Sequence, residues 1–138
     1  MGSYHDLEVF KLSRQLNILT YKAVIAKLPK SEIYALSSQM RRAVTSITFN
    51  IAEGYGRKTV KGRVHFLYIA RGSIYELEAQ LITCVDLGYL TRENITPVLK
   101  LEDKVSRMLM GLIKNTKVLV YRLGMESFVT LYHLIHWR

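Results

Sequence analysis

The sequence predicts an all-α protein, an antiparallel up-and-down four-helix bundle with an extra C-terminal helical tail. Three observations lead there. Apolar residues recur at spacings of three and four through four long stretches. Only two prolines, Pro29 and Pro97, fall among them. Nothing in the spacing alternates with the period of two that strands require. The 138 residues suit one hydrophobic core. We divide them into a bundle over 1–118 and an apolar helical extension over 119–138.

The first helix is expected over roughly 7–28, with Asp6 as its cap. Leu7, Phe10, Leu16, Leu19, Tyr21, Val24, Ile25 and Leu28 are among its apolar positions, with Lys11, Arg14, Lys22 and Lys27 between. Pro29 disfavours further helix at Leu28, and Ser31 with Glu32 opens the next element. The second helix is expected over about 32–53. Leu36, Met40, Ala43, Val44, Ile47 and Ile51 make its seam, and Gly54 is a natural C-cap. Arg41 and Arg42 are consecutive, so they point about 100° apart and at least one leaves the seam.

The third helix starts near Thr59 and runs to about Leu87, with Gly88 as its stop. Val60, Val64, Leu67, Ala70, Ile74, Leu77, Leu81 and Cys84 form the longest unbroken stripe in the sequence. Gly72 costs about 1 kcal/mol against Ala inside a helix, which makes sense if another helix packs closely there. The fourth helix follows Thr91 and extends to about Lys117. Pro97 leaves two possibilities: it opens the main helix with Thr96 as cap, or it kinks a longer one. In the tail, Phe128, Leu131, Tyr132 and Ile135 have helical spacing and predict a short fifth helix. The bundle does not need it for a core, so it covers the bundle or pairs with a neighbouring chain.

The formal charge is +9, unevenly placed. Residues 1–75 carry 12 Lys+Arg against 4 Asp+Glu, a balance of +8, and residues 76–138 carry 8 against 7, a balance of +1. No acid lies between Gly54 and Tyr75. This asymmetry points to a polyanionic partner, nucleic acid first. The alternative is a surface that is merely basic. The single cysteine, Cys84, excludes an intramolecular disulfide framework and reads as a core residue of a reducing compartment. No run of about 18 apolar residues spans a membrane, and the first residues lack a signal peptide's charged and apolar regions. Asp6 stands where a myristoylation motif has Ser or Thr. The reading is a soluble cytoplasmic protein.

Catalytic patterns fail one by one. "GYGRK" lacks a preceding strand and a Gly-Lys-Ser/Thr, so it is not a Walker loop, and Gly54, Gly56 and Gly62 do not match G-x-G-x-x-G. No glutamate is followed three residues later by histidine, as a di-iron bundle requires. His133 and His136 share a helix face but lack an evident third ligand. His5 and His65 read as surface residues. No metal, cofactor or catalytic residue is expected. Asn50 and Glu53 border the seam of the second helix, and Ser73 and Glu76 flank Ile74 and Leu77 on the third. In antiparallel helices these sets can meet. They are either a carboxylate pair for acid–base work or a buried polar network that fixes register. With no accompanying nucleophile or metal ligand, the network is the better reading.

The segments "DLEVFKLSRQL", "YALSSQMRRAVTSITFNIAEGYGRKT", "FLYIARGSIYELEAQL" and "LGYL" resemble the bacterial four-helix-bundle proteins encoded in intervening sequences of 23S ribosomal RNA genes. The resemblance covers about residues 4–117. Arg41, Arg42, Asn50, Glu53, Gly54, Tyr55 and Arg57 fit one family segment, and Gly72, Ser73, Glu76, Leu77 and Glu78 fit another. The resemblance implies a small antiparallel bundle without established enzymatic activity. It also implies kinship with the accessory variability determinant proteins of diversity-generating retroelements, which form homopentameric barrels and bind nucleic acid and a reverse transcriptase. Two departures stand out. Thr48 replaces a proline common in the family, which straightens the second helix, and the tail after about 118 lies outside the family pattern.

The expected function is therefore binding of RNA or DNA by a basic, homo-oligomeric bundle. The candidate phosphate contacts are Arg41, Arg42, Arg57, Lys58, Lys61 and Arg63, with Arg14 and Lys22 as helpers. Tyr55 is a candidate for stacking on a base, although an aromatic beside a turn more often packs. A structural adaptor, and an enzyme built on Glu53 and Glu76, are the competing classes.

Overall fold

The computed structural model describes residues 2–122. Four helices carry the fold: α1 Glu8–Ala23, α2 Leu36–Gly56, α3 Val60–Asp86 and α4 Arg92–Arg122. Helices α1 and α3 each pack on both α2 and α4, so the four enclose one core. Short joints at 57–59 and 87–91 turn the chain back on itself, which makes consecutive helices antiparallel. Among the described residues there is no strand. Leu16, Met40, Ile47, Ile51, Leu77, Leu81, Leu109 and Ile113 are fully buried at the centre. Each such side chain contributes about 2 kcal/mol of transfer free energy. The expected fifth helix lies outside the described residues.

Several boundaries differ from the sequence expectation. Asp6 does not cap α1. Its carboxylate accepts from the Ser3 N–H at 2.8 Å and closes a capping box on a short 3-10 turn, Tyr4–Asp6. The cap position falls to Leu7, which offers no side-chain hydrogen bond. The first helix also stops early, at Ala23, and the chain continues through a single turn at Ile25–Lys27. Leu28 and Pro29 are extended, as the proline requires.

The second helix starts later than expected, because Glu32 works from outside it. One carboxylate oxygen accepts from the Leu36 N–H at 3.1 Å, and the other accepts from the Tyr89 hydroxyl at 2.9 Å. This ties the entrance of α2 to the α3–α4 joint. Gly54 is not a C-cap, since α2 runs through it to Gly56 and Arg57 takes the cap position. The helix is α through Thr48, as the missing proline allows. The Thr48 hydroxyl is buried and joins α2 to α1: it donates to Ser13 Oγ at 3.0 Å and accepts from Asn17 Nδ2 at 2.9 Å.

Helix α3 begins and ends as its sequence suggests. Thr59 caps it, accepting from the Gly62 N–H at 3.0 Å. Gly88 terminates it at φ +75°, a conformation that favours glycine. Gly72 corrects an expectation. No helix packs on it, and a Cβ there would meet nothing within 4 Å. Helix α4 is continuous through Pro97, so neither the late start nor a cap at Thr96 holds. Thr91 and Asn94 cap it reciprocally, with Thr91 N donating to Asn94 Oδ1 at 2.9 Å and Asn94 N to Thr91 Oγ1 at 3.2 Å. Thr96 instead donates to the Arg92 carbonyl at 2.7 Å. Pro97 sits on the exposed side of α4, where losing the bond to Glu93 costs least.

Candidate nucleic-acid interface

The α2–α3 joint gathers four of the predicted basic residues at one corner of the bundle. Gly54 lets α3 come close. Arg57 then leaves α2 in extended conformation, and Thr59 starts α3. Arg57, Lys58 and Lys61 are exposed and Arg63 is half-buried. Arg63 Nε donates to the Arg57 carbonyl at 2.9 Å, which fixes one guanidinium across the turn. Its Cζ lies 5.9 Å from the Tyr55 ring centroid, and Arg57 Cζ lies 4.4 Å from that of Phe66. Arg57 also meets Glu53 at 2.6 Å, an exposed i,i+4 pair worth a few tenths of a kcal/mol. One acid against four bases leaves residues 53–63 at +3. The positive end of the α3 dipole points the same way.

The aromatic side chains beside this corner are packed. The Tyr55 hydroxyl donates to the Gly2 carbonyl, and its ring meets Tyr4 edge-on at 6.4 Å. Tyr4 also packs on Phe10 at 4.9 Å. Tyr4, Phe49, Ala52, Glu53 and Arg57 line a shallow cleft of about 400 Å³ beside the turn.

The other predicted contacts are spread out. Arg41 and Arg42 sit near the start of α2, about 22 Å along its axis from Arg57. Arg42 is exposed and shares a cleft of about 440 Å³ with Gln39, Ser46 and Glu76. Arg14 and Lys22 are exposed on α1. One cation at the basic end escaped the sequence reading. Lys117 of α4 donates to the Tyr68 hydroxyl of α3 at 2.8 Å. Nothing in the primary order, 49 residues apart, signals that pairing.

The four polar candidates divide. Asn50 Nδ2 donates to the Ser46 carbonyl at 2.8 Å and to its hydroxyl at 2.9 Å. The Ser46 hydroxyl meets that of Ser73 at 2.8 Å across the helix pair. Asn50 and Ser73 are thus joined through Ser46. Glu53 turns to Arg57, and Glu76 accepts from Gln80 Nε2 at 3.2 Å. Among the described residues no group of three His, Cys, Asp or Glu is placed to hold a metal ion. His133 and His136 lie outside them. His5 and His65 are exposed. Cys84 is buried, and burial foremost pushes its thiol up to about 11, so it is a poor nucleophile. No described helix is long and apolar enough to cross a membrane.

Comparison with known proteins places this geometry. The family model described as "23S rRNA-intervening sequence protein" matches residues 5–111. A crystal structure from Bacteroides thetaiotaomicron, of a protein with unknown function from the S23 ribosomal protein family, has the same fold. It superposes with a TM-score of 0.70 at 23% identity, covering 77% of this chain and 95% of that one. No curated protein matches the chain.

Proposed function

This chain belongs to the 23S rRNA-intervening sequence protein family, and on that premise we propose that it is a non-enzymatic homo-oligomer that binds RNA or DNA through phosphate contacts. The observation that carries the reading is the corner at 57–63. Four cations share one rigid joint, one of them fixed by Arg63 Nε on the Arg57 carbonyl at 2.9 Å. Pre-ordered cations lose less side-chain freedom when a phosphate arrives. Contacts of this kind give affinity without reading sequence. Arg41, Arg42, Arg14 and Lys22 extend the basic surface, and Lys117, held on Tyr68, adds a cation on α4.

Self-association is favoured by uncovered apolar residues on the outward side of α3. Ile69 is 39% exposed and Ile82 48%, with Gly72 and Ala79 exposed between them; Phe49, on α2, is 66% exposed. The resemblance to accessory variability determinant proteins suggests five subunits and a reverse transcriptase as protein partner. The same exposed apolar residues favour the second reading, an adaptor that presents them to another protein.

Fluorescence anisotropy with short labelled RNA and DNA tests the first reading. Binding at about 50 mM salt should weaken steeply as salt rises, with a log–log slope near −3 to −4 on duplex DNA. Unmeasurable affinity at that salt, or affinity unchanged after the four charges at 57–63 are removed, overturns it.

A further inference from the structure

About 22 Å along α3 from Arg63, a cleft of about 340 Å³ opens between α3 and α4. Glu102 of α4 lines it and is 3% exposed. Its Oε1 has no hydrogen-bond partner among the described residues. Tyr75 and Glu78 of α3 and Asp103 of α4 stand around it, and Ile74 and Leu99 supply apolar wall. A carboxyl buried this deeply normally has a donor. Arg107 meets Asp103 at 2.5 Å, and Arg71 donates one terminal nitrogen to the Tyr75 hydroxyl at 3.1 Å while its Nε stays without a partner, and no hydrogen bond or ion pair joins either cation to Glu102. Glu78 has no ion-pair partner among the described residues.

A positively charged donor would complete the site, since it would also offset the acids Glu78 and Asp103 beside it. The donor set does not suit a metal ion, since no three described acids, histidines or cysteines are placed to share one. A hydrated metal ion also gains nothing from Ile74 and Leu99. The volume falls within the small-molecule range. The Tyr75 ring is 52% exposed, but Arg71 Cζ already lies 5.4 Å from its centroid, so Tyr75 serves as wall and not as the seat of the charge.

We propose that this cleft binds an alkylammonium or alkylguanidinium group, with Glu102 receiving the charged head, Glu78 and Asp103 guiding it in, and Ile74 and Leu99 flanking its stem. The proposal does not depend on nucleic-acid binding at the basic corner. It has a proton linkage. Burial first, then the charges of Glu78 and Asp103, raise the Glu102 carboxyl to about 8. At neutral pH the group is therefore mostly protonated. A cation seated against it favours the carboxylate, and the proton leaves to solvent.

Isothermal titration calorimetry on the full chain tests this with agmatine and, separately, N-acetyl-arginine amide. Affinity should rise on the order of tenfold between about pH 6.5 and 8.5. Heats in two buffers of different ionisation enthalpy should count close to one proton released. Glu102→Gln keeps the shape of the side chain and should abolish both binding and proton release with the circular dichroism unchanged. Glu78→Gln should weaken binding a few-fold. Agmatine binding identifies a free small cation as the ligand; binding of the arginine amide alone identifies a protein side chain. No binding by either at about 10 mM, binding retained in Glu102→Gln, or binding without pH dependence overturns the proposal.

Discussion

A Cβ added to Gly54 of α2 would lie 3.1 Å from the carbonyl oxygen of Arg63 in α3, and 3.2 Å from Phe66 Cβ. Both neighbours belong to a helix and cannot swing aside as a side-chain tip can. The glycine thus sets how closely α3 follows α2, and with it the position of the basic corner. Gly54→Ala is expected to lower stability by about 1–2 kcal/mol, because forcing the helices apart outweighs the propensity gain. Gly72→Ala should do the opposite and raise stability by about 0.5–1 kcal/mol, since its Cβ enters open space. Urea denaturation of the two variants checks both signs.

Position separates the basic residues. Replacing Arg57, Lys58, Lys61 and Arg63 with Gln should weaken nucleic-acid binding on the order of a hundredfold at low salt and flatten its salt dependence. Replacing Arg41 and Arg42, about 22 Å along α2, should have a much smaller effect. Anisotropy titrations at several salt concentrations measure both, and equal losses would show that the corner has no special role.

The Thr48 hydroxyl connects Ser13 and Asn17 inside the α1–α2 contact. Thr48→Val removes it at similar volume and leaves those partners short of a hydrogen bond, so a loss of about 1–2 kcal/mol is expected. Thr48→Pro also removes a helix hydrogen bond and should cost about 3 kcal/mol or more. Thermal unfolding ranks the two. A Thr48→Pro chain as stable as Thr48→Val would show that α2 accepts a kink at no cost.

Glu102 gives stability a pH dependence of definite sign. Its folded value, about 8, lies above the ordinary 4.5, so the folded state holds a proton that the unfolded state has released. Stability from this group is full below about pH 4.5 and declines as pH rises towards 8, by on the order of 3 kcal/mol. Glu102→Gln should remove that decline and be more stable than the parent at pH 8. Urea midpoints at pH 5 and 8 for both proteins decide it.

The exposed Ile69 and Ile82 of α3 border its outward side about 140° apart, and self-association is expected to use them. Ile69→Lys with Ile82→Lys should lower the mass measured by light scattering to that of a single chain while leaving the helix content intact. The substitutions place two charges on a contact that needs apolar surface.

The amino-acid order alone determined the number of long helices, their seams and the basic stretch beside a glycine-rich turn. Local rules act there: an apolar stripe with a 3.6 period has only one way to be buried. Thr59 and Gly88 were legible as start and stop for the same reason, since a cap or a left-handed turn needs only near neighbours. Glu32 and Asp6 were misread because each had two possible partners, and local preference could not choose between them. Tertiary structure assigned Glu32 to Leu36 and Tyr89, and Asp6 to Ser3. It moved the close helix approach from Gly72 to Gly54 and joined Asn50 to Ser73 through Ser46. It paired Lys117 with Tyr68 and left Glu102 buried without a partner. Asp6 with Ser3 and Glu32 with Leu36 are near neighbours in sequence, but the other contacts have no sequence signal, because each depends on which faces of two helices meet. That is fixed only when all four pack around one core and every side chain competes for the same space.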